Sequence, residues 1–163
     1  MNTFGFYILI LGFILSLYSS VLFISGFYKE NRTMIRSASR SYYLSILMIF
    51  ISCVSLITLF LSNDFTNIYV FNNSSLDMNR ALTFVAFYAG NEGSLLYILL
   101  VHATLSGCLL FFSSEKIKSS LAYSCGILSV ISSFYIFVLL FFANPFEVTN
   151  LIHSDGKGIN PLL

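Results

Sequence analysis

Charged side chains are scarce in this sequence, and tryptophan is absent from it. Lys and Arg number 8 and Asp and Glu 7 among 163 residues, so charged residues make up 9% of the chain and hydrophobic residues 57%. A soluble domain usually carries about 25% charged residues. So few charges could not cover a water-facing surface, and the composition therefore favours contact with lipid. The net charge of +1 gives no reason to expect a nucleic-acid partner.

Cysteine is also sparse, and its positions exclude the usual thiol chemistry. Cys53, Cys108 and Cys125 each stand within an apolar stretch, and no CxxC pair occurs. Free cysteines commonly behave as small buried apolar residues. We expect neither a disulfide framework nor a thiol redox site here. The sequence also lacks a phosphate loop, a catalytic triad, zinc-ligand spacing and a dinucleotide fingerprint, so it predicts no catalytic residues and no metal site.

What the sequence does contain is apolar segments of membrane-spanning length. They cover residues 4–28, 42–61, 81–112 and 121–143. A helix of about 20 apolar residues crosses the ~30 Å hydrocarbon core of a bilayer. No basic residue precedes Lys29, so the first segment is interpreted as a retained span rather than a signal peptide. The sequence predicts an all-α polytopic protein of about four transmembrane helices, forming a single membrane domain over residues 1–163.

The third apolar segment is too long for one straight span. The polar run Gly90-Asn91-Glu92-Gly93-Ser94 interrupts it. We expect residues 95–112 to cross the membrane and residues 81–91 to form a helical lead-in at the outer interface. After the fourth segment, Asn144-Pro145 should end the helix, because proline disfavours helix at the residue before it.

Small residues recur along three of the four segments. They are Gly12, Ser16 and Ser20 in the first, Ser45, Ser52 and Ser55 in the second, and Ala122, Gly126, Ser129 and Ser133 in the fourth. Small residues on one side of a helix allow close helix packing in lipid. These stripes are predicted to be packing faces rather than reactive sites.

The distribution of basic residues predicts the orientation. Of the 8 Lys and Arg residues, Lys29, Arg32, Arg36, Arg40, Lys116 and Lys118 fall in the first and third loops. Basic loops face the cytoplasm or the matrix. Residues 62–80 are then an outer loop, residues 144–163 form an outer tail, and both termini face outward (N-out/C-out).

Glu92 is the one acidic residue within the apolar segments, and desolvation of such a group is costly. Three interpretations are open. Glu92 could cap backbone amides or pair with Arg80, it could pack or gate within a larger complex, or it could transfer protons. If residues 95–112 span the core, Glu92 lies about one turn outside it.

His102 and Ser106 form a possible polar stripe in the third span, on nearly the same helix face as Asn91. A histidine can ligate haem or a metal, but no second ligand stands nearby in the sequence. His153 belongs to a different element, the outer tail. We therefore expect His102 to face the bundle and to bond to a serine or a backbone carbonyl.

Several motifs, taken in order, resemble one family. They are Asn63-Asp64-Phe65 with Tyr69-Val70 and Asn73-Ser74-Ser75, then residues 90–97 (GNEGSLLY), then Asn144-Pro145-Phe146, then Asp155-Gly156 and Ile159-Asn160-Pro161-Leu162-Leu163. This pattern resembles the N-terminal part of the CcmF-type haem lyases of cytochrome c maturation system I and the related nitrite-reductase-type lyases. The resemblance covers nearly the whole chain. In that family tryptophans flank the third-helix motif and a histidine precedes its glutamate, whereas this chain has Tyr88, Tyr97 and Asn91 at those places.

The resemblance implies a function in cytochrome c biogenesis. Such a lyase attaches haem covalently to apocytochrome c, receiving haem from a CcmE-type chaperone and apocytochrome from a CcmH-type thiol reductant. The family's haem-ligating histidines lie beyond the stretch that matches this chain, so haem ligands are expected outside it. Gly90, Asn91, Glu92, Gly93 and Ser94 are expected to position rather than to make bonds.

The resemblance also implies that the sequence is one piece of a longer lyase, either a natural split product or a partial reading frame. The localisation would be the bacterial inner membrane, or the mitochondrial inner membrane if the gene is organellar. Whether such a piece is itself an enzyme stays open. The alternative is a small membrane subunit of a respiratory or transport complex with no role in haem chemistry.

Overall fold

The protein is helical throughout nearly all of the part that the structure describes. The computed structural model describes residues 1–113, 115–149 and 154–158. Its helices are α1 (Asn2–Tyr28), α2 (Arg32–Leu61), α3 (Ile68–Asn73), α4 (Arg80–Ala89), α5 (Asn91–Phe112) and α6 (Glu115–Phe141). The predictions made for Lys116, Lys118, His153 and residues 159–163 concern side chains or segments outside the described part.

Four of these helices are long and apolar enough to cross a membrane, namely α1, α2, α5 and residues Leu121–Phe141 of α6. The predicted all-α membrane architecture is therefore confirmed. α1 packs against α2 and α6, and α5 packs against α2 and α6. The short helices α3 and α4 lie outside the spans, at the end of the bundle where α1 and α5 begin.

The outer surface of the bundle is apolar, unlike that of a soluble protein, and its interior combines apolar side chains with many small polar ones. Large side chains such as Tyr7, Val21, Leu105 and Phe134 are at least 60% exposed. The interior holds serines beside large apolar side chains such as Leu9 and Ile49, and Ser16, Ser45, Ser129 and Ser132 are fully buried. A surface of this kind is stable when lipid surrounds it, and small interior residues let the helix backbones approach closely. The protein is an integral membrane protein.

Hydrogen bonds between helices confirm the predicted packing stripes. Ser16 Oγ lies 2.8 Å from Ser133 Oγ, joining α1 to α6. Ser45 Oγ donates to the Gly12 carbonyl over 2.9 Å, joining α2 to α1. Such bonds satisfy polar groups that lipid could not satisfy.

The first loop is shorter than the sequence suggested. The sequence placed residues 29–40 in a loop, but α2 begins at Arg32, where Asn31 Oδ1 accepts hydrogen bonds from the amides of Thr33 at 3.0 Å and Met34 at 3.3 Å. Charge alone therefore did not end the helix, because long arginine side chains can reach water while the backbone stays helical.

Candidate functional site at the predicted outer end of the bundle

α3, α4, the first turn of α5 and residues 144–149 and 154–158 form a layer over one end of the bundle, here called the polar cap. The motif Gly90-Asn91-Glu92-Gly93-Ser94 lies within it, where α4 ends and α5 begins. Gly90 is extended, with φ −95° and ψ 169°, and this conformation separates the two helices. The polar cap therefore contains the break in the long third apolar segment.

A single hydroxyl joins the two helix ends at this break. Tyr69 Oη donates to the carbonyl of Phe87 over 2.9 Å and accepts from the amide of Gly90 over 3.1 Å. The last carbonyls of a helix and the first amides of the next have no partner within their own helix. Tyr69, in α3, thus satisfies one group of α4 and one at the start of α5, and it fixes the direction in which α5 begins.

The two motif glycines are required by the space around Tyr69. A Cβ atom at Gly90 would lie 2.6 Å from Tyr69 Cε2, and one at Gly93 would lie 2.5 Å from Tyr69 Oη and would overlap the Phe87 carbonyl oxygen. Both glycines allow α5 to pass against α3 and the last turn of α4. Their role in the described structure is close packing.

Burial also fixes the ionisation of this hydroxyl. Desolvation raises the pKa of Tyr69 to about 12, from an ordinary value of 10.0, and the hydrogen bond from Gly90 opposes this shift. The phenol is therefore neutral at physiological pH and can donate to Phe87. The pKa of Tyr69 is higher in the folded state than in the unfolded state. The contribution of the neutral phenol to the free energy of unfolding is therefore complete below pH 10 and is lost as the pH rises towards 12.

Replacing Tyr69 with phenylalanine should weaken the polar cap. The Tyr69→Phe variant keeps the ring but leaves the Phe87 carbonyl and the Gly90 amide without their partner, which we expect to cost about 1–2 kcal/mol. Thermal unfolding in mild detergent measures the effect. The matched control is Tyr88→Phe, because the Tyr88 side chain is 44% exposed and its hydroxyl makes no hydrogen bond within the described residues. Equal losses in the two variants would contradict the assignment.

Glu92 lines a pocket of about 400 Å³ in the polar cap. Asn72, Asn73, Asn144 and Glu147 also line it, so its polar groups are mostly amides and carboxylates. Glu92 is half-buried in the first turn of α5, where a negative charge suits the helix dipole. No hydrogen bond or ion pair engages its carboxylate among the residues that the structure describes.

One interpretation of Glu92 is therefore wrong, namely the capping of backbone amides or a pair with Arg80. Arg80 begins α4 and lines a different pocket with Asn63 and Thr83, whereas Glu92 lies beyond the other end of that helix. A ten-residue helix is roughly 15 Å long. The carboxylate instead faces a pocket that other groups can enter.

Asn67 holds the parts of the polar cap together, and sequence inspection did not single it out. Its Nδ2 donates to Asn2 Oδ1 over 2.8 Å and to the Pro145 carbonyl over 2.9 Å, while its Oδ1 accepts from the Val70 amide over 2.8 Å. The side chain is fully buried. One amide thus links the start of α1, the start of α3 and the segment that follows α6.

Residues 154–158 close over the end of α3. The amide of Lys157 donates to the Phe71 carbonyl over 2.8 Å, and that of Gly158 donates to the Ser74 carbonyl over 3.0 Å. The Asp155 carboxylate accepts from the Leu76 amide over 2.9 Å. A Cβ atom at Gly156 would overlap the Ser74 carbonyl oxygen, so this segment needs glycine to lie so close. These backbone bonds supply partners for the end of α3.

His102 lies in α5 and faces α6, as predicted. Its Nε2 donates to the Leu128 carbonyl over 3.2 Å, and Ser106 Oγ donates to the His102 carbonyl over 2.8 Å. The polar stripe is therefore satisfied within the bundle and is separate from the pocket at Glu92. Within the described residues, no group of three or more His, Cys, Asp or Glu could hold a metal ion.

Comparison with known proteins relates this arrangement to cytochrome c biogenesis. No family model matches the chain. The chain is 27% identical over 159 residues to the cytochrome c-type biogenesis protein NrfE of Haemophilus influenzae, and 30% identical over 160 residues to CcmF of the same organism. Each match covers 98% of this chain and 25% of the relative. The chain thus spans about a quarter of the length of these curated relatives.

A solved structure supports the fold. The chain matches the structure of a cytochrome c heme lyase CcmF with a TM-score of 0.83, over 92% of this chain and 25% of the other, at 22% identity. This chain therefore belongs to the CcmF-like cytochrome c-type biogenesis proteins and corresponds to their N-terminal part.

Proposed function

We propose that this chain is the N-terminal membrane part of a CcmF-type haem lyase. The complete enzyme would add each thiol of an apocytochrome CxxCH motif across a haem vinyl group, and haem would be its substrate. The observation that carries the proposal is sequence similarity over 98% of the chain to two cytochrome c-type biogenesis proteins. No observation favours the alternative of a respiratory or transport subunit.

The described part of the chain would act as scaffold. His102 is the one histidine among the described residues, and its Nε2 is occupied by the Leu128 carbonyl. The described residues therefore do not supply a pair of haem-ligating imidazoles, and the ligands are proposed to lie in the remaining part of the lyase. The polar cap would flank the haem-handling region on the outer face of the inner membrane.

Glu92 and the motif around it would position an outer-face partner. Tyr69 and the two motif glycines fix the start of α5, and the Glu92 carboxylate then faces the pocket without a partner from the described residues. Candidate partners are the remaining part of the lyase, a CcmE-type haem chaperone, a CcmH-type thiol reductant and apocytochrome c. A carboxylate held in this way is suited to a cationic or hydrogen-bond-donating group on one of them.

Replacing Glu92 with glutamine should lower the yield of holocytochrome several-fold while the protein level stays normal. The change keeps the size of the side chain and removes its charge, so it tests positioning rather than folding. Haem staining of the cytochromes and immunoblotting of the tagged chain measure the two quantities. Glu30→Gln is the matched control, because Glu30 is exposed at the opposite end of the bundle. Normal holocytochrome yield in Glu92→Gln would remove Glu92 from the proposal.

Co-purification tests the proposed function as a whole. The chain is tagged in its native host, solubilised in mild detergent and examined by visible spectroscopy and mass spectrometry. We expect a haem Soret band together with polypeptides of the cytochrome c maturation system. Absence of haem, with partners from a respiratory or transport complex instead, would replace the proposal with the alternative.

A further inference from the structure

An apolar groove lies between α2 and α5, at the end of the bundle opposite the polar cap. Its volume is about 290 Å³, and Tyr43 and Ile46 of α2 face Gly107 and Cys108 of α5 across it. A Cβ atom at Gly107 would lie 2.6 Å from Ile46 Cδ1. The absence of a side chain at Gly107 therefore allows the two helices to approach closely at the floor of the groove. Cys108, which the sequence predicted to be buried, is exposed in this groove.

Three arginines of α2 lie just beyond the groove, towards the start of that helix. Arg32, Arg36 and Arg40 follow at four-residue spacing, which places them along one side of α2, and all three are exposed. No ion pair engages their guanidinium groups among the described residues. The stripe continues towards the groove, because Tyr43 follows Arg40 at the three-residue spacing that puts side chains on one face.

The length of α2 places these arginines at the membrane surface. Its 30 residues extend roughly 45 Å, which exceeds the ~30 Å hydrocarbon core by about ten residues. Because Leu61 ends α2 beside the polar cap, the excess lies mainly at the arginine end. Arg40 is about 4.5 Å along the axis from Tyr43, and Arg36 about 10 Å. The guanidinium groups of Arg36 and Arg40 thus stand one to two turns along α2 from an apolar groove on the lipid-facing surface.

We propose that this face is a binding site for one anionic phospholipid. The phosphate of the lipid would bind Arg36 and Arg40, whose planar guanidinium groups suit phosphate oxygens, and an acyl chain would lie in the groove against Ile46 and Gly107. Charge complementarity favours an anionic lipid, because basic residues beside a span attract anionic headgroups. The groove's lack of polar surface favours an acyl chain. This site is independent of the proposed function in haem attachment.

Native mass spectrometry of the purified protein tests the site. The protein in mild detergent is titrated with palmitoyl-oleoyl phosphatidylglycerol or with palmitoyl-oleoyl phosphatidylcholine. We expect the first phosphatidylglycerol adduct at a lower lipid concentration than the phosphatidylcholine adduct. The double variant Arg36→Gln/Arg40→Gln should bind phosphatidylglycerol about tenfold more weakly and lose the preference. Cys108→Phe should weaken both adducts by filling the groove.

Two matched variants separate this site from general effects. Arg80→Gln removes a charge at the polar cap, and Leu105→Phe enlarges a lipid-facing side chain of α5 that does not line the groove. Both should keep the phosphatidylglycerol preference. Equal binding of the two lipids by the unaltered protein would overturn the proposal. A Cys108→Phe variant that keeps both adducts but loses a co-purifying polypeptide would also overturn it, because a protein segment would then occupy the groove.

Discussion

Replacing Gly93 with alanine is expected to destabilise the protein by about 3 kcal/mol and to lower its unfolding temperature in detergent. The added Cβ would overlap the Phe87 carbonyl oxygen and would lie 2.5 Å from Tyr69 Oη. The Phe87 oxygen belongs to the backbone, so it cannot turn away as a flexible side chain can. Either α4 and α5 must separate or the Tyr69 hydrogen bonds must break, and the polar cap loosens in both cases.

The matched control for Gly93→Ala is Gly12→Ala in α1. A Cβ there would meet Met48 Cβ at 3.4 Å, which is ordinary van der Waals contact. Alanine is favoured over glycine within a helix by roughly 0.5–1 kcal/mol, so the control should be neutral or stabilising. An unfolding temperature for Gly93→Ala equal to that of the unaltered protein would contradict the packing role of Gly93.

This result would separate two roles within one motif. Gly90 and Gly93 are explained by the space that Tyr69 and Phe87 leave, so their replacement should act through stability. Glu92 makes no hydrogen bond or ion pair within the described residues, so Glu92→Gln should act mainly on holocytochrome yield and should cost no more than about 1 kcal/mol of stability, through the lost interaction with the helix dipole. A stretch that looks like one functional motif therefore consists of packing glycines around one carboxylate that faces a pocket.

The spans and their packing faces were predictable because a bilayer places direct requirements on the residues that cross it. A long apolar run must become a helix in a bilayer, and small residues at helical spacing mark the side where helices meet. Gly12, Ser16 and Ser133 were read correctly on this basis. The start of α2 at Arg32 was not predicted, because a basic segment at the membrane surface can be either loop or helix. Asn31, whose side chain caps the helix, is the sequence feature that indicates a helix here.

The polar cap was not predictable in the same way. The loop between α2 and α4 is rich in asparagine and serine, and composition does not show which of these side chains is buried. Asn67 is fully buried and Asn72 is exposed, yet both look alike in the sequence. The difference arises from contacts with Asn2 and Pro145, which are distant along the chain. The sequence indicated Tyr69 only as part of the family resemblance. No local sequence feature predicts its hydrogen bonds to the ends of two helices.

Replacing Asn67 with alanine is expected to cost about 3 kcal/mol, because three buried hydrogen bonds are lost at about 1 kcal/mol each. The Pro145 carbonyl and Val70 amide would lose the bonds that Asn67 gives them. Asn72→Ala is the matched control, since that side chain is exposed and makes no hydrogen bond within the described residues. Thermal unfolding of both variants in the same detergent gives the comparison. Similar unfolding temperatures for the two would mean that Asn67 does not hold the polar cap together.

The Asn67→Asp variant tests the same assignment through pH. An aspartate keeps the oxygen that accepts from Val70 but places a charge beside Asn2 Oδ1 and the Pro145 carbonyl, where the structure has a donor. Burial and these oxygens should raise its pKa above the unfolded value of about 3.9. The variant should therefore be most stable at acid pH, where the protonated carboxyl can donate, and should lose stability as the pH rises through the folded pKa. A stability independent of pH relative to the unaltered protein would show that residue 67 is solvated, and the linkage of α1, α3 and the segment after α6 would need another explanation.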